Sequence, residues 1–234
     1  MAAPFKCRVL LAARGGVERE DLLELLRAEA QRAAARLPEA GRSSAGFLRL
    51  ADDPFSRGGP PIRGFDATVE LRCACDEPGA TFSEALTGLG ERVAPLVHTD
   101  LSAVLVGSDH AFGEDSGSPL LFQYFMRRRR DLDHAQYCDH YLNRHSRFGI
   151  ATPGIETYVQ FHVDPEASRR SAAAVGLGLW TADSISELHI RDLPGFLKAV
   201  ATWELGSDAM EDEERFIDRR NSVMWTSERV ALQV

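Results

Sequence analysis

Long apolar runs are missing from this chain. No stretch approaches the ~18 consecutive apolar residues that a membrane span needs. The opening MAAPFKCRVLLAARGG holds only a short apolar run with no cleavage-like region, so the protein reads as cytoplasmic. Cysteine is scarce. Four are present in 234 residues, Cys7, Cys73, Cys75 and Cys138, too few and too scattered for a disulfide framework. Cys73 and Cys75 lie two apart in a strand-like run and point the same way. No second Cys/His pair stands at zinc-finger spacing, so buried, reduced thiols are expected and no metal. An excess of positive charge is also absent. The net charge of -8 argues against nucleic-acid and anionic-membrane partners. The run Arg127-Arg128-Arg129-Arg130 is a local exception that ends at Asp131 and Asp133, as a solvated strand-to-helix connection would. Nucleotide loops are missing as well: Gly176-Leu177-Gly178 lacks a following helix at phosphate-binding spacing. No Gly-x-Ser-x-Gly elbow occurs.

What is present is enough apolar sequence, 44%, for one large or two small cores. The first half alternates strand and helix patterns. Strands are expected at 7–13, 47–51, 65–75 and 101–107, and helices at 19–37 and 82–97. Residues 52–64 hold three prolines and three glycines, a loop composition. The second half repeats the order, with strands at 120–126, 156–163, 185–190 and 222–226. Its helices fall at 133–146 and 194–203, with an additional Ala-rich helix at 165–175. Two βαββαβ units in tandem predict an α+β protein of two ferredoxin-like modules. The first module is placed at residues 1–110, a turn-rich linker at 111–119 and the second module at 120–234.

The stretch LDHAQYCDHYLNRHSRF, residues 132–148, reads as one helix. Asp133 suits an N-cap with Gln136 completing a capping box. Tyr137, Tyr141 and His145 share a face, and Gly149 stands where the helix would stop. His140 and His145, five apart, do not fall on one face of a regular helix. A ferredoxin-like sheet is covered by helices on one face only, and strand alternation assigns the side chains of the other. That face is expected to carry Gln123, Tyr158, Gln160, His162, Glu187 and His189, flanked by Phe125, with Val159, Phe161 and Val163 turned to the helices. No Lys or Arg falls on it in this half, and aromatics mix with titratable groups, as in a largely apolar pocket with polar anchors. In the first module Arg8, Glu70 and Arg72 would share the corresponding face and pair with one another. His162, His189 and Glu187 form the one set with metal-ligand chemistry, although their spacing does not demand a metal.

The strand LLFQYFMRR, the helix AQYCDHYLNRHSRF, the stretch ADSISELHIRDLPGFLKAV and the segment DEERFIDRRNSVMWTSE together resemble the EthD family of the dimeric α+β-barrel superfamily. The resemblance runs from Leu120 to Val230. Its helix pattern, an aromatic, a second aromatic four residues on, then a histidine, falls on Tyr137, Tyr141 and His145. The proline often found after that histidine and a small residue is missing after Ser146. Many members are single modules that pair with a second chain, whereas this chain carries a divergent module at its N-terminus. The resemblance implies a homodimer-forming, cofactor-independent protein acting on a hydrophobic, aromatic or polyketide-like molecule by dehydration, cyclisation or related lyase steps. The alternative it implies is an accessory protein beside an oxygenase. A haem enzyme of the same superfamily would need an axial ligand in the barrel.

The expected site follows. His189, His162, His145 and Glu187 would supply acid–base chemistry. Tyr158, Gln123, Phe125, Gln160, Tyr141 and Trp225 would line the substrate.

Overall fold

The computed structural model describes residues 5–56 and 64–232. Residues 57–63 of the expected 52–64 loop lie outside the described residues. In chain order the strands are β1 (Phe5–Leu11), β2 (Ser43–Arg49), β3 (Ala67–Cys73), β4 (Ala103–Ala111), β5 (Leu120–Met126), β6 (Thr157–Val163), β7 (Ser184–Ile190) and β8 (Val223–Val230). The helices are α1 (Arg19–Ala34), α2 (Pro78–Ala85), α3 (Leu89–Val93), α4 (His134–His140), α5 (Ser146–Ile150), α6 (Pro165–Val175), α7 (Leu193–Ala201) and α8 (Gly206–Glu213). A π-helical turn, Tyr141–His145, joins α4 to α5.

The eight strands close one antiparallel barrel in the order β1-β3-β2-β8-β5-β7-β6-β4. Within each half the strands follow the order 4-1-3-2, and the halves meet at two seams. At one, Phe47 opposes Arg229 and Leu48 opposes Glu228. At the other, Ser108 opposes His162 and His110 opposes Gln160. A closed barrel has no free sheet edge. The sheet pairing that single-module members would make with a second chain is made here within one chain.

Apolar residues at the 3.6-residue period explain the outer layer. Leu22, Leu26 and Ala30 of α1 and Phe82 of α2 bury against Val9, Leu11, Val69 and Leu71. The barrel interior is filled at one end by Leu10, Leu105, Phe125, Phe161, Ile185 and Trp225. Phe125 stacks on Trp225 with ring centroids 4.0 Å apart.

Both faces of the second-half sheet are therefore covered, and this corrects the reading of β6. All seven of its residues are buried. Val159 lies opposite Glu187 and Phe161 opposite Ile185, so the Val/Phe row points into the barrel. Tyr158, Gln160 and His162 face the helices instead. Hydropathy marks the core side of a strand only when the other side is wet. Here the more apolar row fills the barrel, and the polar row meets partners on α4 and the π turn.

Candidate functional site

The ten side chains expected to form one site separate onto the two faces of the sheet. Glu187, His189, Gln123, Phe125 and Trp225 lie inside the barrel. His162, Tyr158, Gln160, Tyr141 and His145 lie between sheet and helices.

Inside the barrel Glu187 is fully buried. It accepts a 2.8 Å bond from Lys6 Nζ and lies 3.4 Å from Arg8 Nη1. Lys6, one of two lysines in the chain, also meets Asp109 at 2.7 Å. Glu70 binds Arg8 at 2.9 Å and Arg72 at 2.7 Å, so the expected pairing of Arg8, Glu70 and Arg72 is present. Arg8 also donates to Gln123 Oε1, and Gln123 Nε2 donates to Ser227 Oγ at 3.0 Å. Burial raises Glu70, but Arg72, Lys6 and Arg8 outweigh it and hold the carboxyl well below the usual range. The cations beside Glu187, Lys6 and Arg8, come from the opposite half. His189 sits at the rim, 3.9 Å from Asp115, and burial pushes it below its ordinary value. This interior is a packed ion-pair network, a structural device. The space beside Glu187 is occupied by cations from the other half, and the set His162–His189–Glu187 is divided by the sheet. Among the described residues no group of three or more His, Cys, Asp or Glu side chains is placed to hold a metal ion.

The second face is built on α4 and the π turn. Asp133 caps α4, its side chain accepting from Gln136 N at 2.8 Å while Gln136 returns a bond to Asp133 N at 3.0 Å. The helix continues through Gly149 to Ile150. The wider turn at Tyr141–His145 changes the angular register, and π turns mark functional sites with unusual frequency. His140 and His145 consequently converge on one carboxylate. His140 Nε2 is 3.1 Å and His145 Nδ1 2.9 Å from Asp212 Oδ2. Asp212 belongs to α8, an element the sequence pattern did not disclose. Burial lowers His145 despite that partner. The carbonyl of Tyr141 accepts from Gln160 Nε2 at 2.9 Å. Gln160 Oε1 bonds His162 Nε2 at 2.9 Å, and Tyr141 and Tyr158 share a 3.2 Å hydroxyl contact. The His162 ring stacks on Tyr141 at 5.3 Å.

His162 opens onto a cleft of about 370 Å³ between α4 and the β4–β6 seam, lined by Phe5, Ser108, His134, Cys138, His162 and Pro165 among others. His134 and Cys138 are four apart on α4 and share a face. His134 Nε2 lies 3.5 Å from Cys138 Sγ and its Nδ1 3.2 Å from Asp183 Oδ1. Asp183 is pinned by Arg128, through its backbone N at 2.9 Å and Nη1 at 2.5 Å. The two cleft histidines are driven apart. Hydrogen bonds to Asp183 and Cys138 push His134 up to about 10, whereas burial, with His110 and His134 nearby, pulls His162 down to about 3. Burial raises Asp183, but His134 and Arg128 bring it down to about 2. Cys138 is half-buried, not enclosed as expected. Residue patterning missed His134, Cys138 and Asp183. The signal available was the i, i+4 spacing of His134 and Cys138 within a helix already recognised.

The helix pattern, the strand holding Glu187 and the α8 segment lie together in one half. Residues 129–220 match the EthD domain. The matched stretch supplies α4, the π turn, β6, β7 and α8, while Phe5, Pro78, Gly107 and Ser108 come to the cleft from outside it. No curated protein matches the chain. Solved structures share its fold. An anthrone oxidase-like protein has a TM-score of 0.59 at 12% identity, covering 98% of this chain and 92% of that one. A chlorite dismutase variant from Candidatus Nitrospira defluvii, crystallised with cyanide, has 0.54 at 10% identity, covering 99% and 93%. A candidate monooxygenase from Lactobacillus acidophilus has 0.53 at 10% identity, covering 97% and 94%. Among the described residues no helix is long and apolar enough to cross a membrane.

Proposed function

We propose that the protein is an acid–base enzyme that enolises a hydrophobic carbonyl compound in the cleft beside α4. The observation that carries this reading is the pair of histidines on that cleft, held in opposite states. Groups whose environments push their pKa values apart are suited to opposite proton roles. His134, raised to about 10, is the proton donor and polarises the carbonyl oxygen. His162, neutral and fixed through Nε2 by Gln160, takes the proton from the adjacent carbon. Delivery from His134 removes one of the positive charges that depress His162, so each transfer favours the other. Gln160, Tyr141 and Tyr158 orient His162, and the His140–Asp212–His145 set fixes the π turn behind it. Lyase and cyclase steps on aromatic or polyketide-like molecules begin with such an enolisation, and no cofactor is required for it. Glu187, His189, Gln123, Phe125 and Trp225 serve as frame. Homodimerisation would use an outer surface of the closed barrel.

The test is deuterium exchange at the methylene of anthrone, chosen from the description of one structural neighbour. The protein accelerates exchange over buffer, and His134→Gln or His162→Gln lowers the rate by about a hundredfold, within the ordinary range for general acid–base groups. Anthrone bound without accelerated exchange would favour the accessory-protein reading, since a histidine pulled to about 3 is a weak base. Neither binding nor exchange would refute the cleft as an anthrone site.

A further inference from the structure

Cys138 is a half-buried thiol with a histidine at hydrogen-bond distance and a carboxylate behind that histidine. We propose that Cys138 is a nucleophile that adds covalently, through Sγ, to an electron-poor alkene conjugated to a carbonyl, such as a quinone or enone, bound in the cleft. This rests on the same cleft as the proposed function and adds a covalent step to it.

Three observations carry the assignment. The order of groups is that of an activated nucleophile: Sγ 3.5 Å from His134 Nε2, and His134 Nδ1 3.2 Å from Asp183 Oδ1. A nucleophile is activated when a base reaches it and a third group orients that base. Second, the sulfur has somewhere to react. Cys138 lines the 370 Å³ cleft together with Phe5, Pro78 and Pro165, surfaces suited to an apolar ring. Third, the donors nearby select the electrophile. Acyl transfer needs preorganised N–H groups for an oxyanion. Here Pro78 and Pro165 bring none, and Asp164 N is spent on Val106 O at 2.8 Å. Conjugate addition needs instead one acid to protonate an enolate, which His134 supplies.

The step balances. Cys138 attacks as the thiolate, its proton released to solvent, beside the imidazolium of His134. The sulfur lone pair forms the S–C bond at the β-carbon, and the alkene π pair moves to the α-carbon and carbonyl oxygen. His134 then gives its Nε2 proton to the α-carbon and takes back from solvent the proton that the thiol released. Nothing is oxidised or reduced. The titratable groups around Cys138 are His134, Asp183 and Tyr137 on its own side, and His162 and Asp164 across the cleft, with the His110 ring tilted against His162 at 4.6 Å.

The probe is N-ethylmaleimide, itself an activated alkene, applied to the intact protein from pH 5 to 9, with each cysteine followed by peptide mass spectrometry. At pH 7 Cys138 is expected to react on the order of tenfold faster than N-acetylcysteine, the gain in thiolate outweighing its lower intrinsic nucleophilicity. His134→Gln removes the advantage, and Asp183→Asn removes part of it. A rate at pH 7 equal to that of N-acetylcysteine, or a rate unaltered by His134→Gln, overturns the proposal. Anthrone exchange reads the other proposal separately. Exchange with an ordinary Cys138 leaves acid–base chemistry alone standing. A fast Cys138 without exchange leaves the nucleophile standing.

Discussion

Asp183 sits where the chain enters β7, buried and held by Arg127 and Arg128, with His134 as its third partner. A fixed carboxylate of this kind favours the charged imidazole, while a ring stacked into the protein without an anion is kept neutral. Asp183→Asn should therefore bring His134 down from about 10 toward its ordinary value and leave His162 near its low one. Nitrogen-15 chemical shifts of the two imidazoles across a pH titration measure both at once. Unchanged His134 shifts in that variant would remove Asp183 from the account. A second residue-scale expectation concerns the barrel. Glu187→Ala leaves Lys6 and Arg8 facing each other in the interior with one anion fewer, and unpaired buried charge costs about 3–5 kcal/mol. Urea unfolding is the measurement, and a loss below about 1 kcal/mol would mean that Asp109 and Glu70 already suffice. Such residues differ in how far the sequence discloses them. Arg8, Glu70 and Arg72 could be paired from strand alternation alone because they share a face of one module. Lys6 with Glu187 could not, since their contact spans the two halves and depends on which seam closes the barrel.

At the scale of elements, the π turn and β6 hold one another. Regular helical geometry would leave His140 and His145 on different faces. The inserted turn brings both to Asp212, and it leaves the Tyr141 carbonyl to Gln160. Gln160→Leu strands that carbonyl and should cost about 1–3 kcal/mol, read by thermal or urea unfolding. Its amide proton signature would be faster hydrogen exchange confined to residues of the π turn. Gly149 belongs to the same contact. A Cβ there would fall 2.1 Å from the Tyr158 ring, so Gly149→Ala should cost about 1–3 kcal/mol by overpacking. Helix α4 was legible from its capping box and apolar spacing, and the order of strands from their turns. The π turn was not, since one residue of altered register leaves no trace in composition. The faces of β6 were not legible either, because hydropathy loses its meaning on a strand buried twice.

For the whole molecule, the two cleft histidines pull stability in opposite directions with pH. His134 binds its proton more tightly folded than unfolded. Its contribution is complete below the unfolded value of 6.5 and is lost as pH rises through about 10. His162 binds its proton less tightly folded, so its contribution stands above 6.5 and is lost as pH falls toward about 3. Glu70 and Asp183, both held low, add to the acid loss once pH drops below the usual carboxylate range. Unfolding midpoints should therefore peak near neutrality. His134→Gln should flatten the alkaline limb, and His162→Gln the limb between about 6.5 and 3. An alkaline limb that is the same in wild type and His134→Gln would show that His134 titrates normally.

The barrel joins two unlike halves through one covalent chain, and this has a genetic consequence. In a barrel made by two copies, every substitution is written twice across a twofold axis, so a residue useful on one side must be tolerable on the other. Here the axis is broken in the gene itself. Lys6 can be a cation where its counterpart position across the pseudo-twofold is free to be something else, and one half is at liberty to specialise while the other keeps the frame.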